Sequence, residues 1–499
     1  MVTLLGVWPA VTNGQPFFYP DTTAYVRGAD LGISKVLGSR FATDWAKDQR
    51  RIIKTPASAD SRVDNAEQPP TGQRSDRRVV LAGRSIVYGV LLYLGEVFGG
   101  MWFAVAVQSL TATYLIFLLV TRTLALSFRC FLMTCVVLLI ASTLPFVVSF
   151  LMPDLFAGLL ILGFAILATG WNRLNRFELA ATSGVLMFAV LAHSTCLILL
   201  LGLTTAAVGY VAARDRSRWI RVRGLVVVAV ACVATAILWE GVFSFAVKRA
   251  FGSPPVRPPF ITAKLVDLLG KSAVSRVCQS NDFVVCRFQD RLPIGLEAFL
   301  WSEDERTGIF SIADLPTKQL LEREQIRFAF AIIPPNLLQF AGGIINDSVR
   351  QLPTFGLTQY SYSPSKMAFF EDRVPSHEFG VIASSLAARS YCYVVFGRTV
   401  LYVSTAMGVI LVTVLLCGGL SSRTSVDSDA NSAKRTWRIA TCILLSGIIL
   451  NAIICGGLSS VNDRFQARVI WLVQLSAVTG VCVLRCRRES RLRSDGLSK

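Results

Sequence analysis

Long apolar runs separated by short arginine-bearing segments dominate the chain. A helix that crosses a bilayer needs about 20 mainly apolar residues, and runs of that kind lie at 100–121, 129–150, 152–169, 224–244, 394–417, 438–458 and 466–484. The stretch 178–213 is too long for one span and is interrupted at its centre by His193, Ser194 and Thr195, so two short helices meeting at that polar point are expected. Met1–Val11 is apolar, but Asn13-Gly14-Gln15-Pro16 breaks it after half a span, which suggests a truncated or mis-started first helix. A secretory signal is not expected, since the start has no basic region and no small-residue cleavage site after a full apolar core. The pattern predicts a mainly α fold: a polytopic helical membrane bundle of about ten spans with a mixed extracytoplasmic domain.

Composition agrees with a bilayer as solvent, with 53% hydrophobic residues, 16% charged residues and a mean hydropathy of +0.54. A formal charge of +18 would suit nucleic acid if it covered one soluble face. The arginines instead flank apolar runs, where they act as topology signals and as contacts for anionic membrane lipids, so no nucleic-acid partner is expected.

Those flanks predict the orientation. Arg485, Arg487, Arg488, Arg491 and Arg493 place the C-terminus in the cytoplasm of an inner-membrane protein. Counting back, the segments with Arg423, Lys434, Arg435 and Arg438, with Arg214 to Arg223, with Arg173 and Arg176, and with Arg122 and Arg129 fall on the same side, provided that 178–213 is a hairpin. The organisation expected is an N-terminal membrane region, 1–244, with a first outer loop over about 13–99. An extracytoplasmic domain at 245–393, membrane helices at 394–484 and a basic tail at 485–499 follow. Within the first loop, 44–78 reads as a charged, Pro-rich excursion, and Arg84–Phe98 as a helix lying along the membrane surface. The segment 245–393 is large enough for its own core and contains a helical stretch near 314–332.

Cys278 and Cys286 stand apart from the thiols of the apolar runs. They flank a polar segment at a spacing that suits a small disulfide-closed hairpin, which needs an oxidising compartment. With only His193 and His377 in the chain, a histidine-rich metal site is excluded, and no Cys/His zinc spacing occurs. Walker, Rossmann and nucleophile-elbow patterns are absent.

The polar residues left over fall on the outer side. Asp21, in Phe17-Phe18-Tyr19-Pro20-Asp21, and Asp154, in Met152-Pro153-Asp154, each open a helix after a proline turn, so helix capping competes with chemistry at both. Histidine titrates near neutrality, so His193 suits proton transfer or a hydrogen bond donated to a phosphate, against the plainer role of a satisfied core histidine. Arg464 and Arg468, in Asn462-Asp463-Arg464-Phe465-Gln466-Ala467-Arg468, contradict the inside bias for positive charge. A guanidinium fork matched to a lipid-linked phosphate would explain them, as would pairing with Asp463 or lipid head groups.

In these features the chain resembles the GT-C class of integral-membrane glycosyltransferases. Asp21-x-x-x-Tyr25 is similar to their first-loop acid, Arg84-Ser85-Ile86-Val87-Tyr88 to the surface segment after it, and Asn462-Asp463-Arg464-Phe465 to a late-loop motif. The resemblance implies an inverting hexosyl- or pentosyltransferase that moves a sugar from a polyprenyl-phosphate donor to a glycan or lipid acceptor at the outer face. Asp21 would be the general base and Asp154 a second acid. Arg464, Arg468, His193 and Tyr25 would hold the donor phosphate, and a divalent metal is left open by the single acid at the key position. A transporter or flippase of lipid-linked sugars and a non-catalytic envelope-polysaccharide assembly protein are the rival readings. The lack of paired halves tells against the first.

Overall fold

The computed structural model describes residues 6–47, 80, 82–214, 219–389, 392–418 and 428–497. The described residues form helices and turns, without a strand; the chain order follows. Helix α1 (Trp8–Asn13), α2 (Pro20–Leu37), α3 (Asp44–Lys47) and α4 (Ile86–Phe98) precede α5 (Met101–Phe117), which runs on through a π turn to Thr123. Next come α6 (Phe128–Ala141), α7 (Leu144–Val148), α8 (Leu155–Gly170), α9 (Arg176–Ala192), α10 (Ser194–Arg214) and α11 (Trp219–Phe251). Segment 245–393 carries α12 (Phe260–Cys278), α13 (Leu296–Trp301), α14 (Leu315–Ile332), α15 (Leu337–Gln351), α16 (Pro364–Arg373), α17 (Ser376–Ser384) and α18 (Leu386–Arg389). Helices α19 (Cys392–Cys417), α20 (Ser428–Leu458) and α21 (Asp463–Leu497) close the chain.

Among the described residues seven helices are long and apolar enough to cross a membrane, α5, α8, α10, α11, α19, α20 and α21, and α14 with the Pro334–Gln351 helix, bent by 53°, makes an eighth if the pair is one broken span. Two of the other expected spans fall short of that length among the described residues. The 129–150 run is broken after Ala141: Ser142 turns its hydroxyl back to Leu138 O, Thr143 bonds Ala467 O, and Pro145 starts the separate α7. Helix α9 is only 17 residues long. Residues 48–79, most of the expected excursion, lie outside the described residues.

The split of 178–213 occurs at His193, whose backbone is extended between α9 and α10. The two helices run in opposite directions. Glu178 at the start of α9 pairs with Arg122, whereas Thr195 at the start of α10 meets Arg468 at the far end of the bundle. Arg173 donates to Thr123 O and to Ser432 Oγ, and Gly224 packs against Trp171. The helix ends and turns bearing Arg122, Arg173, Arg223 and Lys434 therefore gather at one end, and Asp154, His193 and Arg464 at the other.

The 245–393 segment is not one unit. Residues from Val256 to Ile332 build a core of their own around Phe299, Phe310 and Phe328, closed by a Cys278–Cys286 disulfide with a Cα separation of 5.7 Å. That disulfide joins the end of α12 to a 3-10 turn, Val284–Arg291, rather than two strands of a hairpin. By contrast Phe355, Leu357, Tyr360, Tyr362 and Phe370 belong to the core of the helical bundle. A buried lysine fastens the two cores together: Lys264 Nζ bonds Asp347 Oδ2 at 2.8 Å, Ser459 O at 2.7 Å and Gly456 O at 3.1 Å. The ion pair and both carbonyls satisfy a cation that would otherwise be costly to bury.

Two close approaches set the geometry of the site end. Helices α2 and α4 run side by side in the same direction, and a Cβ on Gly89 would lie 2.3 Å from Tyr25 O. Helices α8 and α21 touch at Gly158, where a Cβ would sit 2.6 Å from Arg468 O and 2.8 Å from Trp471 Nε1. Small residues at such crossings let backbones approach in membrane bundles.

Candidate functional site

Asp21 and Asp154 come together because the strand-like piece before α2 pairs with the turn before α8. Phe17 N donates to Ser149 O at 2.9 Å and Leu151 N to Phe17 O at 3.0 Å, an isolated parallel bridge. Thr22 Oγ1 accepts from Tyr19 N and donates to Leu151 O at 2.9 Å, so the first turn of α2 is stitched to the same place. Phe18 N donates to Tyr362 Oη of segment 245–393 at 2.8 Å.

Neither carboxylate caps its helix. The cap position of α2 is Tyr19, with Pro20 and then Asp21 inside the first turn. Asp154 occupies the cap position of α8, but its side chain makes no cap hydrogen bond. Both acids serve arginines instead. Asp21 Oδ1 accepts from Arg84 Nη2 at 2.6 Å, with both side chains about one fifth to one quarter exposed. Arg84 also donates to Gly83 O and lies 5.2 Å from the Trp301 ring.

Asp154 Oδ1 faces Arg468 Nη1 at 3.4 Å and Arg464 Nε at 3.9 Å. Arg468 is fully engaged in the interior. Its Nε and Nη2 reach Asn451 Oδ1 at 3.1 and 2.8 Å, and Nη2 also reaches Thr195 Oγ1 at 3.2 Å and Cys455 Sγ at 3.0 Å. Asn451 is itself oriented by donating to Phe465 O at 2.8 Å. The arginine expected to hold a phosphate is thus a lock between α8, α10, α20 and α21, with 1% of its side chain exposed.

Arg464 is different. Its guanidinium sits 4.4 Å from the Tyr19 ring centre and 5.0 Å from that of Phe465, and its buried Nε and Nη1 have no hydrogen-bond partner. Asp154 Oδ2 is likewise buried and unbonded. Asp463, on which a simple local pairing of Arg464 would rest, accepts instead from Thr358 N and Oγ1. The unused guanidinium donors beside an aromatic face make this a place where an anion would find bonds that the protein leaves open, while the unused carboxylate oxygen could accept only from a hydroxyl or other donor.

The other expected members stand behind this front. His193 Nδ1 lies 2.9 Å from Thr195 Oγ1, which in turn accepts from Arg468, so the histidine touches the arginine lock through one hydroxyl. Tyr25 is buried edge-on to Tyr88, whose hydroxyl donates to Gln108 Oε1 at 2.9 Å. Burial raises the Tyr19 phenol above its usual value, opposed by Arg464 and reinforced by Asp21. Lys366 completes the rim: it lies 5.9 Å from the Tyr19 ring, bonds Ser361 O and Gln359 Oε1, and is held below the usual lysine range by burial, against the pull of Asp463.

The sequence reading did not single out Tyr19, Trp301, Lys366 or Asn451, nor Arg84 as the partner of Asp21. No spacing signal links them, since each joins the site through a tertiary contact. A cavity of about 20 Å³ bounded by Ser109, Ala112, Cys135 and Leu144 lies elsewhere in the bundle and carries no carboxylate or cationic side chain.

The fold and the site define a helical multi-pass membrane protein with a charged cluster at one end of its bundle. The chain matches no family model, and no significant match exists among curated proteins or solved structures.

Proposed function

We propose that this protein is a membrane glycosyltransferase that moves a sugar from a polyprenyl-phosphate donor to a glycan or lipid acceptor at the outer face of the inner membrane. The observation that carries the reading is the juxtaposition of an accessible carboxylate, Asp21, with an arginine whose donors are unbonded, Arg464, around the ring of Tyr19. The clustering of arginine-bearing turns at the opposite end supports a cytoplasmic placement of that end. The Cys278–Cys286 disulfide supports an oxidising compartment for the site end.

In this reaction the acceptor hydroxyl oxygen attacks the anomeric carbon and Asp21 takes the hydroxyl proton. The bond from the anomeric carbon to the phosphate oxygen breaks, and the lipid phosphate leaves with the electron pair. One displacement inverts the configuration. Arg84 holds Asp21 in place through their ion pair, and Arg464 meets the charge that grows on the departing phosphate, helped electrostatically by Lys366. Asp154 and Arg468 fix the start of α21 and so the position of Arg464. Tyr19 and Trp301 offer aromatic faces suited to sugar rings.

The test is transfer from radiolabelled polyprenyl-phosphate sugars by the purified protein in lipid, beside Asp21→Asn and Arg464→Ala. Transfer that is abolished in both variants, with thermal unfolding unchanged, supports the reading. Transfer that survives in Asp21→Asn removes the general base, and binding of the lipid donor without any transfer would favour a carrier instead.

A further inference from the structure

A second cluster lies away from this site. Asp44 opens α3, Glu96 lies near the end of α4, and His377 and Glu378 sit in the first turn of α17. His377 Nε2 faces two carboxylates, Glu96 Oε1 at 3.9 Å and Glu378 Oε1 at 3.8 Å, while its Nδ1 faces Asp44 Oδ2 at 3.9 Å. These separations are too long for hydrogen bonds. Two atoms bound to one ion at about 2.1 Å each can stand no more than about 4.2 Å apart, so the two Nε2–carboxylate separations are short enough to admit one. One ligand atom from each of Glu96, His377 and Glu378 lies within 4.8 Å of the others.

Glu96 itself points the same way. Its side chain is 13% exposed with a buried Oε2, and the donor beside it is the neutral Trp45 indole, so no charge there balances it. Two largely buried carboxylates held this close repel each other, and a half-exposed imidazole is the only basic group recorded against them among the described residues. A cation between them would remove that repulsion.

We propose that Glu96, His377 and Glu378 bind a divalent transition-metal ion of the zinc class, with Asp44 orienting the imidazole from its far nitrogen. One imidazole with two carboxylates favours zinc or manganese over magnesium or calcium, and a carboxylate behind the ligating histidine is the usual outer shell of such sites. The ion would tie α4 of the first loop to α17 of segment 245–393. It lies roughly 18 Å along α4 from Arg84, at 1.5 Å per residue, so it is a structural clasp and takes no part in the Asp21 site.

The experiment uses the full chain in lipid nanodiscs, purified through a tag without histidine, stripped with chelator, equilibrated with Zn²⁺ and desalted. Metal per chain and the shift of thermal unfolding on adding Zn²⁺ are both measured. Wild type is expected to hold one zinc more than His377→Ala, which removes any contribution from the free cysteines, and to gain thermal stability that the variant does not. Asp44→Asn is expected to keep the stoichiometry and lose about 10–100-fold in affinity. His377 is 54% exposed, so its truncation leaves the fold intact. Equal zinc content in wild type and His377→Ala, or a thermal shift that persists in that variant, overturns the proposal. Neither readout involves sugar transfer, so this result stands apart from the transferase assay.

Discussion

Arg464 and Arg468 lie one helical turn apart at the start of α21, both toward Asp154 Oδ1, at 3.9 and 3.4 Å. The i, i+4 spacing puts them on one face, yet their surroundings give them opposite character. Asn451, Thr195 and Cys455 enclose Arg468, whereas Arg464 keeps unbonded donors against Tyr19. One arginine is enclosed by the bundle and the other keeps donors open.

Removing the first should therefore damage the fold. Arg468→Leu strands Asp154 and Asn451 in the interior, and breaking a buried pair costs about 3–5 kcal/mol. A large drop in unfolding temperature in detergent is expected for Arg468→Leu. Arg464→Ala should change that temperature little while abolishing transfer, and the reverse pattern would exchange the two roles.

Asp21→Asn keeps the shape of the side chain and a neutral hydrogen bond to Arg84. Because the pair is partly exposed, the stability change should stay within about 1 kcal/mol. Transfer should fall by about 10²–10⁴-fold if the carboxylate takes the acceptor's proton, which single-turnover rates with the lipid donor would measure.

Gly158→Val tests the crossing of α8 and α21. Its Cβ would overlap the Arg468 carbonyl and the Trp471 indole, neither of which can withdraw without moving a helix. Overpacking of this kind costs about 1–3 kcal/mol. Lower unfolding temperature together with weaker donor binding is expected, because the same crossing positions Arg464.

The disulfide closes a short loop, and the chain-entropy account gives such a loop about 2–3 kcal/mol. Replacing both Cys278 and Cys286 by alanine should loosen the core around Phe299 and Phe328, seen as faster hydrogen exchange over 256–333, while exchange in α8 and α21 is unchanged.

Orientation is open to direct labelling. Asp304→Cys, in segment 245–393, should react with a membrane-impermeant maleimide in intact cells, and Asn175→Cys, beside Arg173, should react only after the membrane is opened. Equal reaction at both positions from outside would contradict the proposed sidedness.

Much of this arrangement was legible from the chain alone. Apolar runs of sufficient length mark α5, α8, α10, α11, α19, α20 and α21, because a bilayer demands a minimum helix length whatever its neighbours. The break at His193 was legible because a polar triplet interrupts an overlong run. Asp21, Asp154, Arg464 and Arg468 were legible as polar residues at apolar boundaries. What tertiary structure decided is how those groups are divided. Ser142 and Thr143 ended a helix through bonds to Leu138 and Ala467, and Asp21 found Arg84 rather than its own helix amides. Arg468 was enclosed by Asn451 from another helix, and Glu96 met His377 from a distant segment. Local pattern records the solvent each residue prefers, whereas a buried charge's partner is fixed by whichever group the packing brings within about 3 Å, and that distance has no counterpart along the chain.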